Sequence, residues 1–113
     1  MRDSLFPVYN NFFSGNFQVG VSEGYELGGL SEADGLERDC YVFRSQIALG
    51  NCQLVLDEIP ADAPSSLRAV RLLATFKSRE LERDTCVATI HEWLADPSLA
   101  ANATVQLVAA LIF

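Results

Sequence analysis

Apolar residues recur along this chain at the spacing of one helical face, and the pattern breaks wherever glycine, asparagine or proline intervenes. In residues 37–59, Cys40, Phe43 and Ile47 fall at i, i+3 and i+7, and Cys52, Val55, Leu56 and Ile59 at i, i+3, i+4 and i+7. Both are one-faced helical patterns. Gly50, between them, supplies the positive φ that closes a helix, and Asn51 caps the next one. The stretch is predicted to be a helical hairpin with two apolar faces, and the rest of the chain is organised around it.

The same unit occurs earlier. Gly15-Asn16-Phe17-Gln18-Val19-Gly20-Val21 aligns with Gly50-Asn51-Cys52-Gln53-Leu54-Val55-Leu56, 35 residues further on. Gly, Asn and Gln are identical, and two further positions are apolar in both. A helix–turn–helix unit repeating at about 34 residues is the signature of a tetratricopeptide array.

Ser4 is placed to cap a first helix with Pro7 in its opening turn. Leu5, Phe6, Tyr9, Phe12 and Phe13 give that helix an aromatic face, and Ser14-Gly15-Asn16 ends it. A second helix spans about residues 17–27, where Gly20 and Gly24 share a face that a neighbouring helix can approach closely. Residues 28–35 read as a loop, and 60–65 as a connection closed by two prolines. A fifth helix carries Ala69, Leu72, Leu73 and Phe76, and residues 77–81 contain a turn. A sixth runs to about residue 96, with Val87, Ile90 and Leu94 inward and Cys86 and Trp93 adjacent, until Pro97 blocks it. A seventh begins at Asn102 or Ala103 and carries Val105, Val108, Ala109 and Ile112. The predicted fold is therefore all-α: about three hairpins and a seventh helix, spread over residues 1–113. The sequence stops at Leu111-Ile112-Phe113 without a polar cap, as if cut inside a repeat. On that reading, Val105, Val108, Leu111, Ile112 and Phe113 form an exposed apolar surface. The alternative is a last helix docked in the core.

Composition narrows the function. The chain has 113 residues, half of them hydrophobic, and a net charge of −7 from dispersed acids. That balance argues against nucleic acid or an anionic membrane as a direct partner. No apolar run approaches the roughly 20 residues that span a bilayer, and the first residues lack the pattern of a secretory signal. Cys40, Cys52 and Cys86 make no CxxC pair and no zinc spacing, and read as reduced, buried thiols. His91, the one histidine, has no ligand or base partner at helical spacing. Asp57-Glu58 are adjacent and so do not face each other on a helix. No nucleophile or phosphate-loop motif is present. The reading is a non-enzymatic protein with no cofactor and no metal. Asn102-Ala103-Thr104 matches the glycosylation sequon but is taken as chance.

Several runs resemble the coatomer epsilon subunit family. They are Leu5-Phe6 with Tyr9-Asn10-Asn11-Phe12-Phe13-Ser14-Gly15, Glu37-Arg38-Asp39-Cys40-Tyr41-Val42-Phe43-Arg44-Ser45, and Ile47-Ala48-Leu49-Gly50 continued by Gln53-Leu54-Val55-Leu56-Asp57-Glu58-Ile59. Leu67-Arg68-Ala69-Val70-Arg71-Leu72-Leu73-Ala74 and Glu92-Trp93-Leu94-Ala95-Asp96-Pro97 also agree, the latter in the wording of plant members, as does Asn102-Ala103-Thr104-Val105-Gln106-Leu107. The resemblance implies a tetratricopeptide-like superhelix within the COPI vesicle coat, acting in Golgi-to-endoplasmic-reticulum retrieval and within the Golgi. It implies a cytoplasmic protein, peripheral on Golgi membranes and coated vesicles, whose direct partner is the C-terminal domain of the alpha coatomer subunit. Family members are considerably longer, so the first repeats alone are represented. Phe43 stands where the general tetratricopeptide pattern has a small residue, and Gln46 where it has an aromatic one, which marks a divergent repeat. The rival reading is a free-standing tetratricopeptide adaptor that binds a peptide or chaperone tail. Such clamps use lysines on groove-lining helices, whereas Lys77, the single lysine, lies at a helix end.

The aromatics of the N-terminal half (Phe6, Phe12, Phe13, Phe17, Tyr25, Tyr41 and Phe43) serve either as core between hairpins or as the lining of a groove. In a superhelix of helix pairs the first helices line the concave side. On helix 1 the inward positions are Phe6, Tyr9 and Phe13, and the 35-residue offset carries them to Tyr41, Arg44 and Ala48. These six are the candidate partner-binding residues. Arg44 discriminates best between groove and core, because an unpaired Arg is rarely core.

Overall fold

Gly15 and Gly50 adopt φ of 85° and 87°, and each closes a helix in the same way. The Gly15 N–H donates to the Phe12 carbonyl (3.2 Å) and the Asn16 N–H to that of Asn11 (2.8 Å). Thirty-five residues on, the Gly50 N–H donates to Ile47 (3.0 Å) and the Asn51 N–H to Gln46 (2.8 Å). Both are Schellman closures, which satisfy the last helical carbonyls by reversing the chain through a left-handed residue. The repeat legible as Gly-Asn identity is thus a repeat of backbone hydrogen bonding.

The structure is a computed structural model that describes residues 6–26 and 31–112, with backbone alone for residues 6–9, 23, 25 and 26. It is all-α: among the described residues there are eight helices and no strand. They are α1 (Phe6–Phe13), α2 (Phe17–Glu26), α3 (Glu32–Ala48), α4 (Cys52–Glu58), α5 (Ser65–Ser78), α6 (Arg83–Ala95), α7 (Pro97–Ala100) and α8 (Ala103–Ile112), with one turn of 3₁₀ helix at Glu80–Glu82. The expected Ser4 cap lies outside the described residues. No described helix is long and apolar enough to cross a membrane.

The contacts divide the chain into two units, Met1–Asn51 and Cys52–Phe113. In the first, α1, α2 and α3 pack against one another. α3 starts earlier than the sequence suggested, inside the stretch read as a loop. The Ser31 hydroxyl accepts from the Asp34 N–H (3.1 Å), and Glu32 and Asp34 put negative charge in the first turn. This cap satisfies one orphan donor and complements the helix dipole. Gly20 is the close-approach point foreseen on α2: a Cβ there would stand 3.2 Å from the Asn11 Cβ. At Gly24 the carbonyl accepts from Arg38 Nη1 (3.2 Å), while Arg38 Nε pairs with Asp39 (2.7 Å).

The buried side of α3 holds Cys40, Val42, Ser45, Gln46 and Ile47, and Phe43, expected inside, is half-buried. Ser45 and Gln46 are tolerated there because both are bonded locally. Ser45 Oγ donates to the Tyr41 carbonyl (2.8 Å), and Gln46 Oε1 accepts from Asn51 Nδ2 (2.8 Å). A buried polar group with a partner avoids most of the desolvation penalty.

In the second unit α5 packs against α4, α6 and α8. Its buried side is Ala69, Val70, Leu73 and Ala74, narrow enough for close helix approach. Arg83, at the start of α6, reaches back to α5: its Nε donates to the Phe76 carbonyl (3.0 Å) and its Cζ lies 5.0 Å from the Phe76 ring centroid. Cys86 is buried, and that burial, with Glu82 second, pushes its thiol pKa up, as suits an unreactive interior thiol.

In residues 97–113 one expectation is extended and one is corrected. Pro97 does stop α6, but it also opens the single-turn α7 at its N1 position, where its missing N–H costs nothing. The apolar surface expected around α8 is not exposed. Val105 and Val108 have 0% exposure and Ile112 is buried, with α8 docked on α5 and α6. Leu111 keeps 52% exposure, and Phe113 lies outside the described residues.

Asn102, noted as a sequon, is the cap of α8. Its Oδ1 accepts from the N–H groups of Thr104 (2.9 Å) and Val105 (3.1 Å), and its Nδ2 donates to Ser66 Oγ on α5 (3.1 Å). Asn102→Ala removes the cap and this tie between helices. It is expected to cost about 1–2 kcal/mol, measured as a drop in urea midpoint with unchanged slope.

Asp96 caps α7. Ser98 Oγ (2.8 Å) and the Ser98 N–H (3.0 Å) both donate to its carboxylate, which holds its pKa below the ordinary carboxylate value. A depressed folded pKa means that the cap is present at neutral pH and is lost as pH falls through that lowered value. Acidification below that lowered value should therefore loosen α7, read as lost exchange protection of the Ala100 and Ala101 N–H groups, which bond to Asp96 and Pro97.

Candidate partner-binding site

In the first unit, the C-terminal half of α1 and the middle of α3 bring four aromatic or cationic side chains together. The Phe12 ring is at the centre. It meets Phe13 (5.1 Å between centroids), Phe17 (5.6 Å) and Tyr41 (5.3 Å), each edge-on. Phe13 meets Tyr41 at 5.9 Å. The Arg44 guanidinium lies 4.3 Å from the Phe12 centroid and 5.2 Å from that of Tyr41. Edge-to-face ring pairs follow the aromatic quadrupole, and the same quadrupole attracts the cation.

Sequence places these contacts in register. Tyr41 and Arg44 are three apart on α3, hence on one face. Phe12 and Phe13 end α1 beside the Gly15 turn, which delivers Phe17 back toward them.

Electrostatically the site is one half-buried cation on a π surface. Burial lowers the Arg44 pKa, and Tyr41 opposes that shift. Arg44 is therefore neither a core residue nor an unpaired one: it is half-buried and stacked, with its aromatic partners supplying the attraction that offsets desolvation.

Of the six candidate residues, the structure brings Phe13, Tyr41 and Arg44 together. Ala48 is exposed, one turn beyond Arg44 on α3. The side chains of Phe6 and Tyr9 lie outside the described residues. Phe13 is 71% exposed, a large aromatic in water whose ring meets the Phe12 and Tyr41 rings that Arg44 stacks on. Phe12, left open between core and groove with the other N-terminal aromatics, is not among the six; its signal is the position three residues before Gly15, where the chain reverses. Elsewhere, His91 is exposed, and Asp57 accepts from Gln53 Nε2 (2.9 Å) on an exposed face. Among the described residues no three His, Cys, Asp or Glu side chains gather as a metal site would require.

Comparison with known proteins gives the chain its family. The sequence model of the coatomer epsilon subunit family matches residues 1–113. Coatomer subunit epsilon-2 of Arabidopsis thaliana is 42% identical over 111 residues, covering 98% of this chain and 38% of the relative. Coatomer subunit epsilon-1 of rice (Oryza sativa subsp. japonica) is 38% identical with the same coverage, and coatomer subunit epsilon of Caenorhabditis elegans is 32% identical over 113 residues, 99% of this chain and 39% of the relative. The chain thus spans a little over a third of the length of these relatives. On a full-length family match and an all-helical fold with the repeated Gly-Asn turn, the chain belongs to the coatomer epsilon subunit family.

Proposed function

We propose that this chain is a non-enzymatic scaffold element of the COPI vesicle coat, serving Golgi-to-endoplasmic-reticulum and intra-Golgi transport. Residues 1–113 form the N-terminal part of a tetratricopeptide-like superhelix. The chain works in the cytoplasm and reaches Golgi membranes and vesicles through the coat, with no nucleic acid partner. It docks the C-terminal domain of alpha coatomer on the face that carries Phe13, Tyr41, Arg44 and Ala48, with Phe6 and Tyr9 as further contacts expected from the helical spacing alone. The observation that supports this reading is the exposed Phe13, packed on the same Phe12 and Tyr41 rings as the stacked Arg44. Aromatic and Arg side chains are the residue types that dominate binding hot spots.

The test is calorimetric titration of the C-terminal domain of alpha coatomer into the chain. Arg44→Ala should weaken binding by about 1–3 kcal/mol, and Phe13→Ala by a similar amount, with helicity unchanged. Unchanged affinity in both variants, with unchanged melting curves, removes this face from the interface. A pull-down from cytosol separates the coat reading from the adaptor reading: recovery of alpha coatomer supports the first, and recovery of a chaperone the second.

A further inference from the structure

The second unit contains a pocket of different chemistry. A cavity of about 240 Å³ is walled by Arg68, Arg71, Leu72 and Thr75 of α5 and by Thr89 and Trp93 of α6. No Asp or Glu lines it, in a chain whose net charge is −7.

The two arginines are held but not neutralised. Arg68 Nη2 donates to Ser65 Oγ (3.2 Å), and its Cζ lies 5.9 Å from the Trp93 ring centroid. The Nε of both Arg68 and Arg71 is buried with no acceptor. Among the described residues the Arg71 guanidinium has neither a hydrogen-bond nor an ion-pair partner. Both threonine hydroxyls donate to carbonyls of their own helices, Thr75 to Arg71 (3.1 Å) and Thr89 to Thr85 (2.9 Å). The charged donors of the pocket are therefore two guanidinium groups, each with a buried Nε that no protein acceptor meets. Unmet donors of this kind are costly in isolation and rewarding to a ligand that meets them.

We propose that the α5–α6 pocket binds the carboxylate of an aspartate or glutamate side chain in an extended segment of a partner protein, with a neighbouring apolar side chain seated on Leu72 and Trp93. The size fits one or two side chains and is below that of a typical small-molecule site. Charge selects the carboxylate over a phosphate. A second cavity, of about 220 Å³, shares Arg71 and Thr75 and is lined also by Asp57, Glu82 and Arg79; Glu82 is paired with Arg79 (3.5 Å), which leaves Asp57 as the carboxylate whose repulsion grows with each added ligand charge. This site lies outside the surface proposed for alpha coatomer and stands whether or not that surface docks it.

Trp93 is the single tryptophan of the chain and reports on its own pocket. The full chain is titrated with the capped tetrapeptide Ala-Glu-Leu-Ala, with its Gln counterpart and with its phosphoserine counterpart, following Trp93 fluorescence. The Glu peptide should give a saturable change, and the Gln peptide should bind about tenfold or more weakly, the loss of a charge-assisted pair. The phosphoserine peptide should bind no tighter than the Glu peptide. Arg71→Gln, with helicity checked by circular dichroism, should weaken the Glu peptide by about tenfold and leave the Gln peptide unchanged. Equal binding of Glu and Gln peptides, tighter binding of phosphoserine, or no saturable response to the Glu peptide overturns the proposal. So does a folded Arg71→Gln variant with undiminished Glu binding. Should that variant fail to fold, the Glu-against-Gln comparison on the unaltered chain decides.

Discussion

Gly20→Leu is expected to cost about 3 kcal/mol or more, a large share of the 5–15 kcal/mol that holds a typical domain folded. Gly20 is buried where α2 crosses its neighbours. A Cβ there meets the Asn11 Cβ at 3.2 Å, with the Phe12 nitrogen and Ser45 Oγ at 4.0 Å. Two of those three atoms belong to the α1 backbone or its first side-chain carbon, so they cannot rotate aside. A leucine must push α1 off α2 and separate Phe12 from the aromatic cluster. Alanine adds a single tight contact and regains about 1 kcal/mol of helix propensity, so Gly20→Ala should be close to neutral. Gly35, inside α3 with nothing within 4 Å of its would-be Cβ, is the control: Gly35→Ala should stabilise by up to about 1 kcal/mol. Urea unfolding of the three variants checks the ordering Gly35→Ala, then Gly20→Ala, then Gly20→Leu. A mild Gly20→Leu would mean that the helices do not pack through this residue.

Val108→Asp should be the most damaging change in the second unit, at about 3–5 kcal/mol, the cost of an uncompensated buried charge. Val108 is fully buried on α8, which docks on α5 and α6. The new carboxyl would have its folded pKa raised by desolvation. A raised folded pKa for an acid means that the protonated form is favoured in the folded state. The penalty is therefore full at neutral pH and shrinks as pH falls below the raised value. Leu111→Asp, on the half-exposed side of the same helix, should cost far less. Thermal melts of both variants at neutral and acidic pH test the contrast. Had α8 presented its apolar side to water, Val108→Asp would have been harmless.

That contrast marks what the sequence could and could not convey. Helix spacing identified Val105, Val108, Ala109 and Ile112 as one face, and all four are buried. Which element covers that face is not encoded in the periodicity of α8 itself; it depends on the narrow side of α5, where Ala69 was placed by its spacing but the buried Val70 and Ala74 beside it were not. The Gly-Asn turns were legible because only a left-handed residue closes a helix that way, and Gly supplies it without strain. The start of α3 was legible in principle: Ser31 followed three residues later by Asp34 is a capping pattern, masked by the glycines on either side. Ser45 and Gln46 were missed because polar residues are counted as outside, and local hydrogen bonds overturned that count. At the candidate site, the 35-residue offset located Tyr41 and Arg44 but not Phe12, the ring on which both converge.

The division of contacts at Asn51 has a consequence for how the chain is made. Each helix of the first unit packs against helices encoded before residue 52. Contacts so short in sequence close quickly, because little loop entropy must be lost before they form. During synthesis, which proceeds at about 5–20 residues per second, α1, α2 and α3 have one another as packing partners without waiting for α8, whereas α5 needs α8 to cover it. The Gly50 turn is thus the point in the sequence by which the aromatic face of the first unit has all its own helices encoded.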